Sequence, residues 1–453
     1  MKQYGVIISV CLILSSCTSL PKSVTERNVI QSLSAPAVFK TQQAQDSKII
    51  HGLFDVFQDE TLNALVERSL VNNLDIQLAA KQLEEAGFNA QAEWGNILPK
   101  LSGNLATNRE QGVQGKLQGT YSPSLDVSWE VDVWGKLLNQ KESLDATALA
   151  SVENYQAVQD SIAAQVMQGW FDVVTTEKQV MLEQSRLKNL KRSLENSRRN
   201  YESGLGALDD LGAVKRDIAQ TKVTLSSNIN NHNTAVRVLQ VLAGEYPDGK
   251  TTLEYNLPAL ISSPTAGLPA DLLTNRPDLR RAWQEVLAAD KLVKVAHKDM
   301  FPSLSITGAL GTQSSAFSDL MSGATIWSLA SNMALPLFNA GQLENNMNAA
   351  QSRAEQAWIV YLNIALNAFL EVEQALDRET LLADQERQQQ EAVIHAENTA
   401  KIFEDRYKNG LVSILEYLSA QNTVFDMKSQ LLDFRNQRLK NRIALALAIG
   451  KGV

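Results

Sequence analysis

The sequence predicts a chain of mixed α and β structure, mostly long α-helical coiled-coil hairpins with four amphipathic strands, built as an internal twofold repeat. Three observations predict it. Gln342–Asn409 runs for about 68 residues without Gly or Pro and is rich in Ala, Glu, Gln and Leu, which are good helix formers. Lys136–Ser203 is a second run of about that length, interrupted only by Gly169, so two rods of roughly 100 Å are expected. Short stretches of strict alternation follow Pro99 and Pro302, where the period changes from helical to two-residue. The two halves also match. Asn72, Asp75, Pro99 and Leu101 recur as Asn275, Asp278, Pro302 and Leu304 at a constant spacing of 203 (Pro99 to Pro302). Beyond the Phe338–Gly341 region the spacing is 206 (Gly204 to Gly410), and it pairs Tyr155, Tyr201 and Gly244 with Tyr361, Tyr407 and Gly450. Paired Pro, Gly and Tyr at fixed spacing mark a duplication, with one three-residue insertion expected in that region.

In chain order, residues 1–16 read as a secretory signal, with Lys2 before an apolar core from Gly5 to Leu14 and small residues before Cys17. Leu14-Ser15-Ser16-Cys17 resembles a bacterial lipobox, which makes Cys17 the expected acylation site and residues 17–57 a polar, lipidated tether. Residues 58–248 form the first repeat. Its helical pattern starts near Asp59, breaks at Asn72-Asn73 and resumes from Asp75 to about Leu98. Strands are expected over about 100–108 and 123–134, then the long helix 136–203 and a return helix 207–243. Residues 249–270, with Pro258, Pro264 and Pro269, read as the inter-repeat linker. The second repeat, 271–453, has strands over about 303–311 and 326–338, the long helix 342–409 and a return helix 413–449. Along the first rod Val152, Tyr155, Gln159, Ile162, Val166, Trp170 and Val173 form the packing stripe of an antiparallel coiled coil.

The strands carry the functional signal. Leu125, Val127, Trp129, Val131 and Val133 alternate with Ser124, Asp126, Ser128, Glu130 and Asp132, and the second repeat matches with Trp327, Leu329, Ser331, Met333, Leu335 and Leu337. Apolar residues on one face and polar on the other fit a membrane barrel, with Asp126, Glu130 and Asp132 towards a wet lumen and Trp129 near the middle of a lipid-facing strand. Four strands cannot close a barrel, so it must be shared: two copies give about eight strands and three about twelve. A half-exposed soluble sheet is the other reading of the alternation alone.

Composition removes several classes. A net charge of −8 argues against nucleic acid as a partner. Cys11 and Cys17 are the only cysteines, which leaves no disulfide framework or cysteine metal site in the body. No internal run is expected to be apolar enough to cross a membrane as a helix. His51, His232, His297 and His395 stand at no ligand spacing, and Gly204-Leu205-Gly206 lacks the third glycine of a dinucleotide site. No catalytic motif, cofactor site or metal site is predicted, and the chain is not expected to be an enzyme.

Several motifs occur in order across the mature chain: Leu14-Ser15-Ser16-Cys17, Phe57-Gln58-Asp59, Ser128-Trp129-Glu130-Val131-Asp132-Val133-Trp134-Gly135-Lys136, Asn275-Arg276-Pro277-Asp278, Phe301-Pro302-Ser303, Pro336-Leu337-Phe338 with Gly341, and Arg406-Tyr407 with Gly410-Leu411. With them the chain resembles the TolC-type outer-membrane factors, and more closely their acylated OprM/NodT branch. Leu53-Phe54 departs from the family's frequent Trp-Trp, and Asn73-Leu74-Asp75 lacks the proline of its copy Arg276-Pro277-Asp278. The resemblance implies a homotrimer with a twelve-stranded barrel in outer-membrane lipid and a helical tunnel across the periplasm, docked to an adaptor (membrane fusion) protein and an inner-membrane RND-type pump. It implies a passive duct for substrates such as drugs or metal ions. It also implies periplasmic tips and adaptor contact at Tyr201, Gly204 and Leu205 and at Tyr407, Gly410 and Leu411, with Asp210 and Glu416 as gate candidates. A structural reading competes for Glu416, because Ser413-Ile414-Leu415-Glu416 is also a capping box. The rival functions are an envelope coiled-coil scaffold, which would not need the strands, and a lipoprotein hydrolase, which would need a polar constellation in a compact domain.

Overall fold

In the computed structural model the described residues are 20–40, 52–57, 59–111, 117–204, 206–250, 257–258, 260, 267–320 and 323–453. The expected signal segment and Cys17 lie outside them, as do Gln58, His51, Leu205 and most of the linker. The elements are α1 (Val29–Leu33), α2 (Glu60–Asn72), α3 (Leu74–Ile97), β1 (Lys100–Gln111), β2 (Leu117–Val131), α4 (Lys136–Glu202), α5 (Leu208–Leu242), α6 (Pro269–Asn275), α7 (Pro277–Lys298), β3 (Ser303–Gln313), β4 (Ala324–Ala334), α8 (Gln342–Lys408) and α9 (Ile414–Ala448). Helices α4 and α8 start one residue after Gly135 and Gly341 and stop two residues before Gly204 and Gly410. They belong to two compact units, and the division falls inside α3, α4 and α8.

The first unit holds the sheet, in which β1, β2, β3 and β4 pair antiparallel in chain order. Pro99 and Pro302 stop the preceding helices, since proline lacks the amide that would continue the ladder. Beside the sheet, Trp283, Trp358 and Tyr361 pack α7 against α8 with ring centroids 5.5 to 6.4 Å apart. Arg280 pairs with Glu153 at 2.7 Å and Lys291 with Glu142 at 2.6 Å, fastening α7 to α4. The start of the N-terminal segment is docked here too: Ser23 Oγ donates to Asp290 Oδ1 at 2.5 Å and Val24 is buried.

The strand registers correct two expectations. Glu110 pairs with Gln118, and Gln313, 203 positions beyond Glu110, pairs with Ala324, 206 beyond Gln118. The three-residue insertion therefore lies in the β3–β4 hairpin, and not at Phe338–Gly341. Strand β4 also ends at Ala334, which leaves Leu335 and Leu337 outside a strand expected to reach 338. The reason is the partner: β3 begins at Ser303, opposite Ala334, and Pro336 has no N–H to offer.

The second unit is helical. Its core gathers Ile162, Val166, Trp170 and Val173 of α4 with Leu62 and Val66 of α2, Val236 and Leu239 of α5, and Leu439 and Ile443 of α9. This is the predicted stripe; Val152, at its start, is exposed. Helix α9 is fastened to α4 by Gln179 to Asp433 (2.7 Å), Arg186 to Asp426 (3.0 Å) and Lys440 to Asp172 (2.7 Å). Each return helix ends on a glycine in the left-handed region, Gly244 and Gly450, both at φ +72. A Cβ on Gly244 would sit 2.5 Å from the Asn72 carbonyl oxygen, so only glycine fits there. Phe39 is buried and the Lys40 amide donates to Glu373 at 2.9 Å, so this part of the expected tether is also held.

By length and composition α8 could cross a membrane, contrary to the expectation for internal segments. Its apolar residues divide between a buried row (Tyr361, Ala365, Ala368, Val372) and an exposed one (Ile359, Val360, Leu366, Leu370). A composition window averages the two rows and cannot see that they face differently.

Candidate functional site

The sheet is two-faced because its register keeps parity across all four strands. Ser102, Asn104, Ser124, Asp126, Glu130, Ser305, Thr307, Ser328 and Asn332 share one face. Leu101, Leu105, Leu125, Val127, Leu304, Ile306, Leu310, Leu329 and Met333 share the other. Ile326 is an apolar exception on the polar face. The apolar side is uncovered, with Trp327 74% and Leu329 71% exposed. A soluble domain would carry such a band as an aggregation liability, whereas a lipid-facing wall requires it. The strands are 12, 15, 11 and 11 residues long, enough to cross a bilayer when tilted.

Asp126 and Glu130 lie on the polar face as expected. Asp132 does not belong to it: it follows the last residue of β2, and its carboxylate accepts the Leu138 amide at 2.8 Å, capping the start of α4. Trp129 is likewise near the strand end and not mid-strand; its indole donates to the Ile97 carbonyl at 2.9 Å. Trp134 repeats the device with the Pro302 carbonyl at 2.7 Å. Two tryptophans with apolar bodies and anchored N–H groups at one rim suit a membrane–water boundary. Beside them Lys136 reaches Asp299 (2.9 Å) and Glu130 (3.9 Å), and these partners, the Asp299 hydrogen bond first, hold its ammonium above the ordinary lysine range. Lys298, donating to the Gly135 carbonyl at 3.0 Å, is pushed down by burial. Sequence reasoning missed Trp134, Lys298 and Asp299 as a group, because three separate segments bring them together.

The helical tips are the second feature, within the second unit. Gly204 and Gly410 take left-handed conformations, φ +72 and +70, as the turn of each hairpin requires. The Leu411 amide returns to the Arg406 carbonyl at 2.9 Å, and Gly410 to Tyr407 at 3.0 Å, closing the α8 end. Tyr407 stacks on Tyr417 with ring centroids 5.4 Å apart. Tyr201 is exposed, and its repeat partner for stacking would be Leu211, which has no ring. Below the tips Leu190, Val214, Ile218, Ile414 and Leu418 form a small core. Ser413 and Glu416 make the capping box: the Ser413 amide and hydroxyl donate to Glu416 Oε2, each at 2.8 Å, and the Glu416 amide donates to Ser413 Oγ at 3.2 Å. Those hydrogen bonds, the backbone one first, hold the Glu416 carboxyl below its ordinary range. The equivalent residue at the start of α5 is Ala207, which makes no side-chain cap, so Asp210 sits in a first turn of a different kind. Among the described residues, no three His, Cys, Asp or Glu side chains are grouped to hold a metal ion.

A membrane-type wall carrying long helical hairpins is what the outer membrane efflux proteins present, and that family's pattern matches residues 65–245 and 268–451, one segment per repeat. The chain belongs to the outer membrane efflux protein family. The cation efflux system protein CusC of Escherichia coli is 28% identical over 98% of this chain and 100% of its own. A crystal structure of CusC superposes with a TM-score of 0.84 at 27% identity, covering 92% of this chain and 97% of that one. The probable outer membrane lipoprotein SilC of Salmonella typhimurium is 27% identical over 98% of both chains. The toluene efflux pump outer membrane protein TtgC of Pseudomonas putida is 27% identical over 97% of this chain and 93% of its own. As an outer membrane efflux protein, the chain is a channel component of a tripartite efflux system and not an enzyme, and it resides in the outer membrane and extends into the periplasm. The hydrolase and scaffold readings fall with that assignment. Channels of this family are homotrimers that work with adaptor and inner-membrane pump partners.

Proposed function

We propose that three copies of this chain close a twelve-stranded barrel over a water-filled duct, through which substrates delivered by an adaptor and an RND-type pump leave passively. The observation that carries the reading is the sheet itself: one polar face, one exposed apolar face, and two edges, β1 and β4, without a second partner among the described residues. Unpaired strand edges in lipid cost several kcal/mol per group, so about twelve strands from three copies remove both edges at once. Cys17 is the proposed acyl anchor, supported by the lipobox pattern and by the lipoprotein named among the relatives. The turns at Tyr201, Gly204 and Leu205 and at Tyr407, Gly410 and Leu411 are the proposed adaptor contacts, with Asp210 and Glu416 near the gate.

The cargo is proposed to be set upstream. Relatives named for cations and for toluene match this chain equally well, at 27–28% identity. The polar sheet face is mostly hydroxyl and amide with Asp126 and Glu130, a lining that hydrates many solutes and selects few. Native mass spectrometry of detergent-solubilised protein should give three chain masses, and planar bilayers should show stepwise conductance. A monomer, or a trimer that never conducts, would overturn the reading.

A further inference from the structure

The internal repeat fixes how one copy's β4 pairs with the next copy's β1. Within the chain, the junction between repeats is the β2–β3 ladder, from Ser124 opposite Gly311 to Val131 opposite Leu304. In a closed ring of repeats the seam between copies is the equivalent junction, made by the β2-like strand β4 and the β3-like strand β1. The hairpin registers set the two translations: β4 lies 206 beyond β2, and β1 lies 203 before β3. We propose that at the subunit seam Leu337 stands opposite Leu101 of the next copy, Met333 opposite Leu105, and Ala330 opposite Asn108. This deepens the trimer reading and rests on it.

Parity on these strands supports that register, and exposure supports an occupied edge. Parity is kept: Met333 and Leu105 both lie on the apolar face, and Asn332 and Ala106, the next opposing pair, both on the polar face. The alternative, with the insertion beyond Phe338, shifts β4 by three and sets Ala334 of the polar face against Leu101 of the apolar one. An odd shift turns every side chain to the wrong side, which a two-faced wall cannot accept. Exposure marks an edge to be covered. Leu337 is 81%, Leu101 69%, Met333 65% and Leu105 52% exposed, whereas Val131 and Leu304, the intrachain counterparts of Leu337 and Leu101, are both half-buried. The occupant of this edge is a second copy of the chain, because the same ladder already exists inside each copy. Assembly would also carry β4 past Ala334 through Leu335, opposite Gly103, to Leu337, with Pro336 bringing no N–H to the ladder.

Cysteine pairs test the register. Directly opposed antiparallel residues have Cβ atoms about 5 Å apart, within reach of a disulfide. Met333→Cys with Leu105→Cys should therefore lose its monomer band on oxidation and give covalent dimers and trimers on a non-reducing gel, with neither single variant doing so. Met333→Cys with Leu101→Cys keeps the same face but is displaced by about 13 Å along the strand and should not cross-link. If the first pair disturbs the lipid face, Ala330→Cys with Asn108→Cys reports the same register from the polar side. Cross-linking only in the displaced pair, or in neither matched pair while the native mass stays at three chains, overturns the register and leaves the trimer standing. A monomeric native mass removes both.

Discussion

Glu379 of α8 and Arg442 of α9 form a buried ion pair whose counterparts in the first repeat are apolar, and the difference predicts an unusual double-mutant cycle. Glu379 Oε1 accepts from Arg442 Nη2 at 2.8 Å and Arg438 Nε at 2.9 Å, and both members of the first pair have side chains 6% exposed. The residues 206 positions earlier are Val173 and Val236, both in the hydrophobic core. The same place between a long helix and its return helix is thus filled by two valines in one repeat and by two charges in the other. Desolvation offsets much of the attraction in such pairs, and removing one partner leaves a buried charge with too few bonds. Glu379→Leu takes the carboxylate from two guanidinium groups, and a loss of about 3–5 kcal/mol is expected. Arg442→Met costs less, about 1–3 kcal/mol, because Glu379 keeps Arg438 and the Asn441 amide at 3.4 Å. The double variant returns the site to the apolar pattern while Arg438 keeps Glu386 at 3.0 Å. It should lie within about 1 kcal/mol of the wild type, with a coupling of about 3 kcal/mol or more. The assay is the denaturant midpoint of the detergent-solubilised protein at fixed concentration, with amide exchange along α8 and α9. A double variant no more stable than Glu379→Leu alone would refute the reasoning.

Two further outcomes follow from the geometry and a third from the sequence. Because its folded pKa is depressed, the Glu416 carboxylate stabilises the α9 start above its ordinary value of 4.5, and that contribution is lost as pH falls through the lower folded value. Amide exchange at Ser413 and Glu416, the two amides held by the capping box, should rise only in acid, and loosening near neutral pH would contradict the assignment. Leu329→Arg, in the exposed apolar wall, should impair trimer yield by about 2–4 kcal/mol if at midplane, and Trp129→Asp at the rim should cost less on lipid grounds; the reverse order on a native gel would count against the placement of Trp129. Cys17→Ser should abolish labelling by a clickable fatty acid while the barrel still inserts, and persistent labelling would reject the lipid anchor.

The helices were legible because their signals are local: Gly204, Gly410, Pro99 and Pro302 interrupt runs of good helix formers, and their ends follow. Alternation showed the sheet's two faces for a similar reason. The insertion was misplaced because small and polar residues in β2 and β4 match at either spacing; only ladder partners, Glu110 with Gln118 and Gln313 with Ala324, resolve it. Asp132 continued the alternating pattern by one residue and so looked like a lumen group, but its role was decided by the helix that follows. The docked N-terminal segment was invisible for the opposite reason. Val24, Val29 and Phe39 are buried singly, at no period, and the ties beside them, Ser23 to Asp290 and the Lys40 amide to Glu373, reach residues hundreds of positions away.

The two repeats differ most usefully at the tips, where the question is which carboxylate is free to respond to cations. Glu416 accepts two hydrogen bonds from Ser413, so its charge is already engaged with its own helix end. Asp210 follows Ala207, which offers no cap, and shares its first turn with Asp209. In the proposed trimer, two neighbouring carboxylates per chain would raise the local negative potential around the axis without any engaged partner in the cap. Of the two proposed gate residues, Asp210 therefore has the carboxylate less engaged with its own helix end. In single channels Asp210→Asn should relieve cation block while Glu416→Gln leaves it in place, because Gln keeps an acceptor for the cap. If Glu416→Gln relieves block and Asp210→Asn does not, the capping box fails to shield its carboxylate and the order is reversed.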